Sequence, residues 1–530
     1  MALLQQPLHW PRPALPAAVP LSGASAAGPL LLLGHAVVLL FMLAVAFYYG
    51  AAPPDPDTML TPFSGALLGL FAWMLVSWSL ASGTLFNPYG LFLMAAMPFH
   101  GGYAVLHLLH QEQQMTLLGD FTPATLYLTL ALVLFGFAFL HLGALLCEVF
   151  WPHPASYHLG TPAETETGTV YLVGWLLIAV AFVPMVQEIR SSLAVVMSTG
   201  YKGLFQGASI DGDAGNTLSG LLSSFFLPGV FYLLAGSQER WIGRAVSLVL
   251  VIGYASAYLF MGYRAYALLP LVAYAWLRHR CIRPLPLVPF SLAGLGLFLF
   301  VAPLVRHVRN LEGSARLSPS VVWDAYTSVE NPVLALLGEM GGTILTIGYT
   351  LDLVPSVRPF EGGMGYLRAW LNAVPVVDMP NIYGDWSTWL AWQVKPLWAA
   401  NGFGFGYSFI AEAYANFGGL GAPLALAVVG GLVVGFLRWA GQSPDPARYA
   451  LVAAFMPALL FYVRGEMISL SRPLLWYALT PWLAVLLLRE AQRRMGKGKL
   501  SRSTTSTLPV QKERSVEPLE QPSIRNPRSK

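Results

Sequence analysis

Charge is what this chain has least of. Asp, Glu, Lys and Arg make up 11% of its 530 residues, where a soluble domain carries about 25%. Hydrophobic residues supply 56%, and mean hydropathy is +0.58. That excludes an ordinary soluble protein and points to a polytopic membrane protein. Strands of a lipid-facing barrel alternate and read far less hydrophobic than this. The 13% aromatic content instead fits helices with interfacial belts. The net charge is only +4, so no nucleic-acid partner is expected, and the placement of the charges matters more than their sum.

Cysteine is nearly absent. Cys147 and Cys281 offer no CxxC, no metal spacing and no disulfide framework. No DxD, paired aspartates or His/Asp cluster occurs where a site is expected, so neither a metal nor a cofactor is predicted. No internal repeat is visible, which argues against a transporter built on inverted repeats. The opening stretch "MALLQQPLHWPRPALPAAVPLSGASAAG" lacks a basic segment running directly into an apolar one, so no cleaved signal peptide is expected.

What is present is a series of apolar runs long enough, or nearly so, to span a bilayer. They fall at 30–49, 60–81, 87–109, 124–149, 169–186, 217–236, 243–261, 265–277, 285–304, 419–437, 449–463 and 473–488. The fold class expected is an all-α polytopic membrane protein with about twelve transmembrane helices. Basic clusters "ERWIGR" (239–244), "RHRCIR" (278–283) and "REAQRRMGKGK" (489–499) belong in the cytoplasm by the positive-inside rule. This predicts cytoplasmic segments at 1–28 and 490–530, the latter disordered, and a first membrane block at 29–304. A large outer cap at 305–406 and a last membrane block at 407–489 complete the plan. The cap is too apolar for a linker, and "NPVLALLG" and "MGYLRAWL" read as short interfacial helices within it.

Arginines sit at the outer ends of short helices. From Ala265 to Leu277 an α-helix covers about 20 Å, against a hydrocarbon core of about 30 Å, which recesses Arg264. Tyr449 to Val463 recesses Arg464 in the same way, and Arg472 opens the next span beside Pro473. An arginine near mid-bilayer costs roughly 2.5–3.5 kcal/mol on insertion scales and rarely faces lipid. Together these arginines suggest a recessed cationic cavity; singly, each is also explained by snorkelling or by pairing with a carboxylate. The guanidinium fork suits phosphate. Arg306, His307 and Arg309 close the span before the cap, and His307 is a candidate proton acceptor. His107 and His141 read as polar helix contacts.

The stretch "NGFGFGYSFIAEAYANFGGLGAPLALAVVGGLVVGF" (401–436) carries Glu412 between Ser408 and Asn416 at four-residue spacing. As a helix, these three share one stripe, and Gly418-Gly419 breaks it. Glu412 either pairs with a cavity arginine or serves as a general base or sugar ligand. Glu339, Tyr349, Asp385 and Trp386 in the cap are sugar-contact candidates, although Trp and Tyr also accumulate in interfacial belts.

Three stretches resemble bacterial O-antigen polysaccharide polymerases. "GEMGGTILTIGYTLDLVPSVRPFEGGMGYLRAWLNAVP" is similar to their large outer loop, "FGYSFIAEAYANFGGLGAPLALAVVGGLVVGF" to the segment that re-enters the membrane after it, and "MGYRAYALLPLVAY" to their short Gly-x-Arg helix. The likeness covers roughly residues 215 to 490. It implies a metal-independent, GT-C-like glycosyltransferase of the bacterial inner membrane. Its substrate would be oligosaccharide repeat units on undecaprenyl diphosphate, with a chain-length regulator as a further partner. Under the resemblance Arg264, Arg306, Arg464 and Arg472 hold diphosphate, Glu412 or His307 acts as base, and Glu339, Tyr349, Asp385, Trp386, Ser408 and Asn416 meet sugar. The alternatives are an O-antigen ligase, which differs in acceptor, and a lipid-linked oligosaccharide flippase.

Overall fold

The structure is a computed structural model, which describes residues 24–50, 55–115, 121–151, 164–206, 218–309, 311, 313–328, 330–374 and 383–504. Every regular element among the described residues is helical, so the chain is an all-α polytopic membrane protein. It divides into two compact units at Val485 and Leu486. The second unit holds only the described end of the last helix, and the first holds all the other helices.

Local sequence sets the boundaries. Helix α1 is Ala24–Gly50. Helix α2 (Pro56–Ser82) opens on a proline, whose missing N–H costs nothing in the first turn, and stops at Gly83 with φ 75°. Helices α3 (Pro88–Leu108) and α4 (Pro123–Phe150) start at Asn87 and Thr122, whose side chains accept the N–H of Gly90 and Thr125. Helix α5 (Glu164–Gln206) bends at Gly200, with φ 74° and ψ −176°. A short α6 (Leu218–Ser223) leads to α7 (Phe226–Gly236), α8 (Trp241–Met261) and α9 (Arg264–Cys281). Helix α10 (Leu287–Gly296) passes through a wide π-helical turn into α11 (Ala302–Val308).

Shorter helices come next: α12 (Pro319–Thr327), α13 (Pro332–Gly341), α14 (Leu345–Leu353), α15 (Met364–Leu371), α16 (Trp386–Val394) and α17 (Pro396–Ala400). Then come α18 (Phe409–Gly441), α19 (Pro446–Phe461), α20 (Ile468–Pro473) and α21 (Thr480–Thr504). The break expected at Gly418-Gly419 is present inside α18, where Gly418 has φ 71° and ψ −175°.

Glycines set the closest helix pairs. Helix α4 lies along α18, and a methyl on Gly143 would strike the Ala427 carbonyl while one on Gly430 would strike that of Leu140. Helix α5 lies along α7 in the same way through Gly174 and Gly236. Lipid tails are as apolar as leucine, so helices associate through such close packing and through polar contacts. The histidines serve the second purpose. His141 Nε2 meets Ser77 Oγ at 2.9 Å, and His107 Nε2 meets Thr61 Oγ1 at 2.9 Å.

Twelve stretches among the described residues are long and apolar enough to cross a membrane. The count agrees with the sequence reading, but one member differs. The run at 265–277 is absent from the set, because its helix α9 carries Arg264 at one end and Arg278, His279 and Arg280 at the other. In its place stands Pro332–Leu353, the α13–α14 pair inside the segment expected as a cap. Its glycines disguise it in sequence. Helix α13 lies so close to α3 that a methyl on Gly341 would lie 2.8 Å from the Tyr103 backbone nitrogen, and one on Gly102 of α3 would lie 2.8 Å from the Leu337 carbonyl oxygen.

Candidate functional site: an arginine cluster on one carboxylate

Helix α8 ends at Gly262, whose φ of 100° turns the chain at once into α9. Arg264 is therefore the first residue of α9, and its side chain reaches α13, where Nη2 donates to Glu339 Oε1 at 2.6 Å. Arg306, on α11, places Nε 2.9 Å from Glu339 Oε2, and Arg309 places Nη2 3.3 Å from Oε1. The three guanidiniums are 16–28% exposed and the carboxylate 19%. Three cations against one anion leave a positive excess at a half-buried place, where a charge is weakly screened. Arg306 Nη1 is buried and has no hydrogen-bond partner among the described residues.

Arg464, in the turn after α19, adds a fourth cation within electrostatic reach of Glu339, Arg264 and Arg309. Its Nη2 donates to the Phe405 carbonyl at 3.1 Å. Gly406 lies against it, with φ 71°, and any side chain there would meet Arg464 Nε at 2.6 Å. Arg316 holds the other flank. It is 4% exposed and donates to the carbonyls of Leu311 at 2.6 Å, Phe260 at 3.0 Å and Arg309. Burial pulls its guanidinium below the ordinary range.

Behind Arg464 lies a second layer of carboxylates. Glu412 is 2% exposed, and its Oε2 accepts the Met467 N–H at 2.8 Å. Glu466 accepts the N–H groups of Trp386 at 2.9 Å and Ser387 at 2.8 Å. Burial, then the nearby Asp385, pushes the Glu466 carboxyl above its usual range. The Arg464 carbonyl accepts the Tyr407 N–H at 3.4 Å. The segment 464–467 is thus fastened by α18 on one side and by α16 on the other.

Residues 33–494 match the O-antigen polysaccharide polymerase Wzy family. The chain belongs to that family. The match covers nearly the whole chain, well beyond the 215 to 490 over which the resemblance is legible in sequence. No curated protein and no solved structure matches it. Wzy proteins polymerise O-antigen repeat units in the membrane, acting on lipid-linked oligosaccharide.

Among the expected diphosphate ligands of this Wzy chain, Arg264, Arg306 and Arg464 come together, and Arg309, named in sequence only beside His307, joins them. Arg472 does not. It is exposed, and its side chain makes no hydrogen bond or ion pair among the described residues. The His307 side chain lies outside the described residues.

The sugar candidates have other partners. Glu339 is the counter-ion of the cluster. Asp385 caps α16, accepting from Thr388 Oγ1 at 2.7 Å and Ser387 Oγ at 3.0 Å. Trp386 is 3% exposed and lies against Arg358, whose Cζ is 3.4 Å from the ring centroid. Tyr349 is 8% exposed, with Phe121 and Phe405 rings at 4.9 and 5.8 Å. Ser408 caps α18 and meets His100 Nε2 at 3.0 Å. Asn416 accepts the Gly365 N–H at 3.0 Å and donates to the Glu412 carbonyl at 2.9 Å. The stripe of Ser408, Glu412 and Asn416 exists, and all three side chains are buried in protein.

Proposed function

We propose that this Wzy chain joins lipid-linked repeat units by metal-independent glycosyl transfer, with undecaprenyl diphosphate as leaving group. The observation that carries the reading is the convergence of Arg264, Arg306 and Arg309 on Glu339, with Arg464 alongside. An acceptor hydroxyl oxygen attacks the anomeric carbon of the donor chain. The bond from that carbon to the diphosphate oxygen breaks with its electron pair going to that oxygen, and the hydroxyl proton passes to solvent water. Negative charge grows on the departing diphosphate, where fixed guanidiniums stabilise it with little reorganisation.

Contacts support placing the site on one face of the membrane. Helix α14's Asp352 accepts from Thr125 Oγ1 at 2.6 Å at the start of α4, while α13's Glu339 meets Arg264 at the start of α9. If α4, α5, the α6–α7 pair and α8 each cross once, α4 and α9 begin on the same side. With Glu339 and Asp352 both tied to that side, the α13–α14 segment stays there, and α9 supplies the crossing. With the basic clusters 239–244 and 278–283 in the cytoplasm, that side is the outer one, and both termini are cytoplasmic.

The test is reconstitution of the full-length protein with lipid-linked repeat units in the presence of a chelator. Polymer and one released undecaprenyl diphosphate per new linkage are expected. Strict dependence on a divalent cation overturns the metal-free step, and polymer of normal length from Arg264→Ala overturns the diphosphate site.

A further inference from the structure

The proposed substrate carries sugars beside its diphosphate, while the residues expected to meet them are engaged elsewhere. A different group adjoins the arginines. The Arg309 guanidinium lies over the Tyr201 ring, 5.4 Å from its centroid. Tyr201 is 5.5 Å from Tyr263, which is 6.0 Å from Tyr258 and 5.5 Å from Tyr266. Tyr258 and Tyr266 are 5.8 Å apart. The Tyr258 hydroxyl donates to Glu188 Oε1 at 3.4 Å, and Ser223 Oγ donates to Oε2 at 2.5 Å. Glu188 and Tyr266 remain exposed, Tyr266 by 54%.

These rings come from α5, α8, α9 and the turn between α8 and α9. Belt tyrosines sit at the headgroup level of the lipid boundary. Here the rings face one another across helices and border a carboxylate. Glu188 lies about 36 Å along α5 from Glu164, past one hydrocarbon thickness of about 30 Å, toward the end that carries Tyr201. Aromatic faces take the C–H face of a pyranose, and an exposed carboxylate accepts hydroxyl hydrogen bonds. A prenyl chain gains nothing from the carboxylate and would pay to cover it. Tyr263 directly precedes Arg264, so a sugar bonded to a diphosphate held by that arginine falls beside the rings.

We propose that Glu188, Tyr258, Tyr263 and Tyr266 form a saccharide subsite for the sugar attached to the diphosphate. The assignment of the sugar's position rests on the diphosphate reading above. The subsite reads hydroxyl pattern through Glu188 and ring face through the tyrosines, and so sets which repeat unit is accepted as donor.

The test uses full-length protein in lipid nanodiscs and two probes, the host's lipid-linked repeat unit and bare undecaprenyl diphosphate. Glu188→Gln and Tyr266→Ala should weaken binding of the repeat unit by about tenfold or more and leave bare undecaprenyl diphosphate unchanged. Tyr258→Phe, which removes one hydroxyl and keeps the ring packing, should shift in the same direction should Tyr266→Ala not accumulate. Unchanged binding of both probes, or equal loss of both, overturns the subsite. Arg264→Ala, run in parallel, should lose affinity for both probes. If it keeps bare undecaprenyl diphosphate while Glu188→Gln loses only the repeat unit, the diphosphate reading fails and the saccharide subsite stands.

Discussion

Glu412 Oε2 accepts the backbone N–H of Met467 at 2.8 Å, so this buried carboxylate holds the loop that carries Arg464. A loop held by one acceptor oxygen makes a clear prediction. Glutamine keeps an oxygen at that place, and alanine does not. Glu412→Gln should retain most polymer synthesis, while Glu412→Ala should lose about tenfold or more, since an unsatisfied buried N–H costs about 1–3 kcal/mol. Polysaccharide length and amount at matched protein level check this. Loss in the glutamine variant equal to that in alanine would sink the positioning role and return Glu412 to proton transfer.

Arg264 and Glu339 are paired, yet their removal should differ. Without Arg264, Glu339 still has Arg306 at 2.9 Å and Arg309 at 3.3 Å. Arg264→Ala should therefore leave membrane protein near wild type and remove long-chain polymer. Glu339→Ala leaves three half-buried guanidiniums without their counter-ion, which should cost roughly 1–3 kcal/mol, less than a fully buried broken pair. A fall in melting temperature for Glu339→Ala, absent for Arg264→Ala, is the expected result. Equal melting temperatures would contradict it.

Arg464 and Arg472 look alike in sequence, both beside the same short loop. Arg464 is packed against Gly406 and bonded to the Phe405 carbonyl, whereas Arg472 is exposed. Arg464→Ala should reduce polymer at least tenfold, and Arg472→Ala by less than threefold, both read as repeat-unit ladders. A severe Arg472→Ala phenotype would show that the diphosphate site extends beyond the cluster.

Much of this was legible from the chain. Composition and run length are enough for an all-helical membrane fold, because the bilayer leaves few backbone solutions. The break at Gly418 followed from paired glycines in an apolar run. Arg264 and Arg464 stand out in sequence because charge is costly in hydrocarbon, and both lie within electrostatic reach of Glu339. What sequence hides is pairing over distance. Nothing local marks Glu339 as the partner of Arg264, Arg306 and Arg309, which lie 75, 33 and 30 positions away. A carboxylate before a tryptophan suits a sugar contact and a helix cap alike, and the capping role of Asp385 shows only in its bond to Thr388. Arg358 carries no local mark either, since its spacing from Glu361 does not tell a buried pair from an exposed one.

That arginine yields the last prediction. Arg358 is fully buried, its Cζ 3.4 Å from the Trp386 ring centroid and its Nη2 2.6 Å from Glu361 Oε1. Arg368 is a second partner of Glu361. Trp386 in turn gives its N–H to Glu466, two positions from Arg464. Arg358→Ala removes the plane on which Trp386 rests and leaves a cavity, while Glu361 keeps Arg368. The loss should be about 3 kcal/mol, mainly from packing and the ring–guanidinium contact. Arg358→Lys should recover only part of it, because an ammonium has no planar face to stack. Thermal unfolding followed by tryptophan fluorescence should rank wild type above lysine above alanine. Polymer yield from the lysine variant should fall at temperatures where the protein is still folded, because the Arg464 loop is loosened first. A lysine variant that melts and polymerises like wild type would show that Arg358 serves charge balance alone.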